Sequence, residues 1–139
     1  MLQKIDGSPM KKQILVVDDD QDNNFSLKVG LEELDPTYEV ISVESGKQCL
    51  DFLKKNQMPD LILLDIMMPE MNGWELFDKI KEHQSWKTIP IFFLTARVDN
   101  TTKTAGIFIA DDYIEKPYEL NDVKKRIDKV LITKTEDIP

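Results

Sequence analysis

The sequence predicts a doubly wound α/β fold, a five-stranded parallel sheet with helices on both faces. Three observations carry this prediction. The short, uninterrupted apolar runs Ile14-Leu15-Val16-Val17 and Leu61-Ile62-Leu63-Leu64 are too apolar to border water and read as strands buried on both sides, and Ile89 to Leu94 reads as a further strand. Between them lie stretches whose apolar residues recur at helical spacing. The two kinds of segment alternate along the chain, as βα units do.

Taken in order, residues 1–11 carry Gly7, Ser8 and Pro9 without periodicity and read as an N-terminal extension. The domain is expected over 12–132, followed by a tail over 133–139. After the first strand, Asp22 is expected to cap a helix whose inward stripe is Leu27, Leu31 and Leu34, and Asp35-Pro36 ends it. Tyr38 to Val43 is the second strand. Ser45 caps a helix reaching about Lys55, with Leu50 and Leu53 inward. The third strand ends at Asp65, and a loop with Pro69 and Gly73 leads to a helix holding Leu76, Phe77 and Ile80. The fourth strand precedes a short helix near Asn100 to Ile107. Tyr113 to Glu115 is the fifth strand, and Glu119 to Leu131 a final helix with Leu120, Val123, Ile127 and Val130 inward.

Composition narrows the functional classes. A chain of 139 residues, 41% apolar and 32% charged, has the balance of one soluble globular domain with a substantial core. Its formal net charge of −8 argues against direct nucleic-acid binding, which needs clustered Lys and Arg. No apolar run approaches the ~20 residues of a membrane span, and no secretory segment opens the chain. The triplets Asn24-Phe25-Ser26 and Asn100-Thr101-Thr102 are therefore not expected to carry glycans. The single cysteine, Cys49, rules out an intramolecular disulfide, fits a reduced cytoplasmic setting, and is expected to pack in the core.

In such a sheet, ligands bind beyond the carboxyl ends of the strands, near the point where the strand order reverses. Those ends are occupied by Asp18-Asp19-Asp20, Asp65, Thr95-Ala96 and Lys116-Pro117. Any one of them alone reads as a helix cap or a solvated loop residue; together they converge on one cleft. Carboxylates about 4 Å apart repel by roughly 4 kcal/mol at an effective dielectric near 20, so such a cleft must bind a cation, hold a proton or pair with a base. Hard oxygen ligands with no His or Cys beside them favour Mg²⁺ over zinc. A carboxylate facing a metal, a lysine and a hydroxyl is suited to phosphoryl transfer, whose transition state spreads charge over three equatorial oxygens.

These residues resemble the receiver domains of two-component signalling, including the chemotaxis regulators. The matching pieces are Ile14-Leu15-Val16-Val17-Asp18-Asp19, Asp65-Ile66-Met67-Met68-Pro69 with Gly73, Leu94-Thr95-Ala96, and Asp112-Tyr113-Ile114-Glu115-Lys116-Pro117. They fall in order and at family-like spacing, and the resemblance runs from about Lys12 to Leu131. It implies a flavodoxin-like (βα)5 sheet in the order 2-1-3-4-5, with Asp65 as the phosphoacceptor. It also implies a Mg²⁺ site made by Asp19 directly, Asp18 through water, Asp65, and the Met67 backbone carbonyl. Thr95, Ala96 and Lys116 would bind the phosphoryl group, Thr95 and Tyr113 would be the switch pair, and Pro117 would follow a cis bond. A histidine kinase or phosphotransfer protein would be the donor. Where the family commonly has Ala-Gly before the acidic-aromatic run, this chain has Phe108-Ile109, so its output face is expected to differ in shape.

Other readings fit less well. An aspartate-based phosphatase needs a second acid two residues after its nucleophile, and Met67 stands there, so a turnover enzyme is not expected. A flavin or nucleotide carrier needs a Gly- or hydroxyl-rich loop after the first strand, where this chain has three aspartates. Ser45-Gly46-Lys47-Gln48 is similar to a P-loop ending, but Ile41 replaces its first glycine and Gln48 its hydroxyl residue. The alternative on the same fold is a non-phosphorylated interaction scaffold, although no site residue is missing. His83, the only histidine, lies in polar surroundings near a helix end and reads as a surface residue. On the first helix, Phe25 and Val29 lie ~200° from Leu27 and Leu31, which predicts an exposed apolar pair beside the cleft, either a chance pair of surface residues or a docking patch for a histidine kinase or phosphotransfer helix. The chain has no residues to spare for an output domain, so it is expected either to dock on a downstream protein or to be the receiver part of a longer chain.

Overall fold

The structure, a computed structural model, describes residues 11–55, 58–95 and 110–136, with the backbone alone at 95 and 133–136. The elements follow one another as β1 (Lys12–Val17), α1 (Gln21–Leu34), β2 (Tyr38–Val43), α2 (Gly46–Lys55), β3 (Leu61–Leu64), α3 (Gly73–Glu82), β4 (Ile91–Thr95), β5 (Asp112–Glu115) and α4 (Leu120–Glu136). The expected short helix at 100–107, Ala96 and Phe108-Ile109 lie outside the described residues.

All strand pairs are parallel, in the order β2-β1-β3-β4-β5 that the resemblance implies. Each strand sends alternate residues to opposite faces, so the sheet builds two cores. On one face Leu15, Val17, Ile62, Leu64 and Phe93 pack with Cys49 and Leu53 of α2 and Leu76, Phe77 and Ile80 of α3. On the other, Ile14, Val16, Leu61, Leu63 and Phe92 pack with Leu27 and Leu31 of α1 and Val123 and Ile127 of α4. Burying each such side chain stabilises the fold by about 1.5–3 kcal/mol, which makes these four helices the cover that a two-faced apolar sheet requires.

Local signals set most of the element ends. The Ser45 hydroxyl accepts from the Gln48 N–H at 3.1 Å, as expected of a cap. Asn72 caps α3 in a reciprocal capping box with Glu75. The sheet ladder of β4 begins at Ile91 rather than Ile89, because Pro90 has no N–H to donate. The final helix begins at Leu120 and continues to Glu136, so it enters the segment expected as tail.

Two expectations for α1 are corrected. Its cap is Asp20, not Asp22: Asp20 is extended and its carboxylate accepts from the N–H groups of Asp22 and Asn23. The inward stripe is Asn24, Leu27 and Leu31, while Leu34 is 40% exposed. The stripe sits one turn earlier because the Asn24 amide donates to the Asp18 carbonyl at 2.8 Å, drawing a polar residue into the interior.

Candidate functional site: an acidic cleft at the strand ends

The chain leaves β1 outward to β2 and then returns to the other side of β1 as β3. The two connections diverge there, opening a crevice at the carboxyl ends of β1 and β3. Asp18 and Asp65 each follow the last residue of their strand, and the Asp65 N–H still donates to the Val17 carbonyl at 2.9 Å. The ladder thus fixes the backbones of both acids. Asp18 and Asp65 are buried and Asp19 is exposed, with carboxylate oxygens of all three within 4.8 Å of one another. At that separation a pair of ionised carboxylates repels by roughly 3–4 kcal/mol at an effective dielectric near 20.

Asp18 is held by donors on every side. Its Oδ1 accepts from the Asp20 N–H at 3.0 Å, and its Oδ2 from Asn23 Nδ2 at 2.7 Å and Lys116 Nζ at 2.9 Å. Lys116 reaches the cleft from the end of β5, just before a cis Lys116–Pro117 bond, as the resemblance implies. Asp65 differs. Burial, then the charge of Asp18, pushes its carboxyl up to about 7, against the pull of Lys116 and a hydrogen bond from the Met67 N–H. The site therefore contains a carboxylate that holds a proton near neutrality unless positive charge is brought to it.

The β3–α3 loop folds back tightly onto the Asp65–Ile66 backbone. The Gly73 N–H donates to the Ile66 carbonyl at 2.8 Å, and a Cβ on Gly73 would lie 2.4 Å from the Asp65 carbonyl oxygen. Only glycine permits so close an approach. Met68 turns into the core while Met67 is 71% exposed. Thr95 ends β4, opposite Glu115 in the register, and Tyr113 is buried in β5. Phe25 and Val29 are exposed on α1 as expected, at 67% and 38%. His83 is exposed at the end of α3, stacked on Trp86. Cys49 is fully buried, and burial pushes its thiol up to about 12, so it packs rather than reacts.

One polar residue of the cleft, Asn23, was not singled out from the sequence, and Tyr118 was expected only on the output face with Lys116. Asn23 bridges the Asp18 carboxylate and the Tyr118 hydroxyl, which donates to Asn23 Oδ1 at 2.9 Å. Burial pushes the Tyr118 phenol up to about 12, so it keeps its proton. The signal for Asn23 was its position: the first turn of a helix that starts at the end of β1 necessarily overlooks the cleft.

The three acids supply only hard oxygen donors, and among the described residues no other cluster of potential ligands forms. Their span is close to the ~4 Å between opposite ligands of a Mg²⁺ with oxygens at ~2.1 Å. The donor set therefore fits such an ion. Among the same residues, no helix is long and apolar enough to cross a membrane.

Comparison with known proteins agrees with this geometry. The response regulator receiver domain family matches residues 14–128. Transcriptional regulatory protein CrdR of Helicobacter pylori is 40% identical over 119 residues, which cover 85% of this chain and 54% of that protein. Response regulator ArlR of Staphylococcus aureus is 38% identical over 120 residues, covering 86% and 52%. The chain thus spans about half the length of these relatives. The signal receiver domain of a signal transduction histidine kinase from Syntrophus aciditrophicus superposes with a TM-score of 0.79 at 31% identity, covering 92% of this chain and 95% of that one. The N-terminal domain of a response regulator receiver protein from Methanoculleus marisnigri gives 0.67 at 36% identity, covering 86% and 95%. A match across most of the chain, joined to the 2-1-3-4-5 sheet and the acids at its strand ends, means that the protein belongs to the response-regulator receiver domain family of two-component signalling.

Proposed function

We propose that Asp65 is the phosphoacceptor of this receiver domain and that the cleft takes up Mg²⁺ through Asp19, Asp65 and the Met67 backbone carbonyl, with Asp18 acting through water. The observation that carries this reading is geometric: the buried Asp65 carboxylate stands directly after β3, with its oxygens within 4.8 Å of those of Asp18 and Asp19. An Asp65 oxygen attacks the phosphorus of a phosphohistidine on a histidine kinase or phosphotransfer protein. The P–N bond breaks, the imidazole leaves with its electron pair, and an acyl phosphate remains on Asp65. A bound Mg²⁺ supplies positive charge against the phosphoryl oxygens. Lys116 can leave Asp18 to pair with the new phosphoryl group, and Thr95 and Ala96 complete its binding. Movement of Thr95 toward the phosphate then frees room for the Tyr113 ring to turn, changing a protein-docking face built around β5 and α4.

The domain is a phosphoryl carrier rather than a turnover catalyst on an external substrate, since the Met67 thioether cannot donate a proton. Its partners are proteins: a donor kinase, with Phe25 and Val29 as the apolar pair for its helix, and a downstream target. The cytoplasm, where Cys49 stays a thiol, suits this role. Treatment with a small phosphodonor plus Mg²⁺, followed by intact-mass analysis, tests the assignment. One phosphoryl group is expected on the wild type and none on the Asp65→Asn protein; undiminished labelling of the variant would remove Asp65 from its role.

A further inference from the structure

Asp18 offers one carboxylate oxygen, Oδ2, to two different donors. Lys116 Nζ lies 2.9 Å from it and Asn23 Nδ2 lies 2.7 Å from it. The orientation of the Asn23 amide follows from chemistry alone. An ionised carboxylate only accepts, so the amide nitrogen must face Asp18, and the amide oxygen is then left to accept from Tyr118 Oη at 2.9 Å. A one-way chain results, from the Tyr118 hydroxyl through the Asn23 amide to Asp18. It crosses between elements that share no local sequence: Asn23 stands in the first turn of α1, and Tyr118 in the turn that follows β5.

The two donors on Oδ2 are not equivalent. Lys116 carries a charge that a phosphoryl group on Asp65 would attract, whereas Asn23 carries none and is tied back by Tyr118. We infer that Asn23 is a positioning residue for the cation site: clamped by the Tyr118 hydroxyl, it fixes the Asp18 carboxylate whether or not Lys116 is engaged there. The inference rests on the reading of the cleft as a Mg²⁺ site. It also gives the turn after β5 a direct mechanical connection to the metal-binding edge, independent of Thr95 and Tyr113.

Calorimetric titration of Mg²⁺ into the unphosphorylated full chain tests this, using wild type, Asp19→Ala, Asn23→Ala, Tyr118→Phe and the Asn23→Ala/Tyr118→Phe double variant. Partners of direct metal ligands typically contribute 10–100-fold to affinity; Asp18 reaches the ion through water, so Asn23→Ala should weaken Mg²⁺ by about three- to tenfold. Tyr118→Phe, which keeps the ring and removes only the hydroxyl, should weaken it less. The double variant should match Asn23→Ala, because the hydroxyl acts only through the amide. A purely structural Asn23 would lower the melting temperature and leave the Mg²⁺ affinity of the folded protein unchanged. That result, with Asp19→Ala weakened, overturns the inference while the cation site stands. Wild type that takes up no Mg²⁺ overturns both. Additive losses in the double variant overturn the clamp. Tyr118→Phe also decides the matter if Asn23→Ala does not fold.

Discussion

Replacing Asp65 by Asn removes a charge from the most crowded point of the cleft, and the direction of the stability change follows from the proton it holds. The Asp65 carboxyl lies at about 7 in the folded protein against an ordinary 3.8. The fold therefore binds this proton more tightly than the unfolded chain does, and stability from this group is present at low pH and lost as pH rises from about 4 to 7. Above that window the folded protein carries the full cost of the ionised group, roughly 3 pKa units at 1.36 kcal/mol each, or about 4 kcal/mol. Asn cannot ionise and keeps the shape. In urea unfolding at pH 8 with EDTA, the Asp65→Asn protein should be more stable than wild type by about 2–4 kcal/mol. By the same linkage the gain should fall below about 1 kcal/mol at pH 4. Saturating Mg²⁺ should also close the gap, since it stabilises the native wild type by mass action and the variant has lost a ligand. An Asp65→Asn protein no more stable than wild type at pH 8 in EDTA, or a gain that does not shrink with pH, would refute the electrostatic account of the cleft.

Three further outcomes are expected. Gly73→Ala places a Cβ 2.4 Å from the Asp65 carbonyl oxygen and 2.7 Å from Ile66 Cα, both backbone atoms. It should cost about 1–3 kcal/mol or more in urea unfolding, and wild-type stability would contradict the close approach. The Phe25→Ala/Val29→Ala protein should receive phosphate from its kinase more slowly, while a small phosphodonor labels it at the wild-type rate. Equal slowing of both routes would point to a damaged site instead. Thr95→Ala should still be phosphorylated, because a hydroxyl is not the nucleophile, but NMR shifts around Tyr113 should lose most of their response. One charge-assisted hydrogen bond is worth roughly 1.5–3 kcal/mol. A shift from 1:99 to 99:1 needs about 5.5 kcal/mol, so the Lys116→Met protein should also switch incompletely. An undiminished Tyr113 response in Thr95→Ala would break the proposed coupling.

The amino-acid order alone determined the strands, their parallel pairing and the acids at their ends. Four residues of continuous Val, Leu or Ile have few alternatives to a strand buried on both faces, and a charged residue directly after such a run must stand at its open end. Motif spacing carried the rest, from Asp18-Asp19 through Asp65 to Lys116-Pro117. Other features were decided only when distant segments met. The cap of α1 is Asp20, whose carboxylate accepts from the Asp22 and Asn23 N–H groups, and Asn24 joins the buried stripe because its amide meets the Asp18 carbonyl; helical periodicity announces neither. The Asn23–Tyr118 bond joins residues 95 positions apart. The Asp65 carboxyl is pushed up by burial and by the nearness of Asp18, which β1 and β3 bring beside it. Periodicity describes one element at a time; a hydrogen-bond partner or a shifted proton affinity depends on what another element sets within a few ångströms, and that is a property of the folded chain.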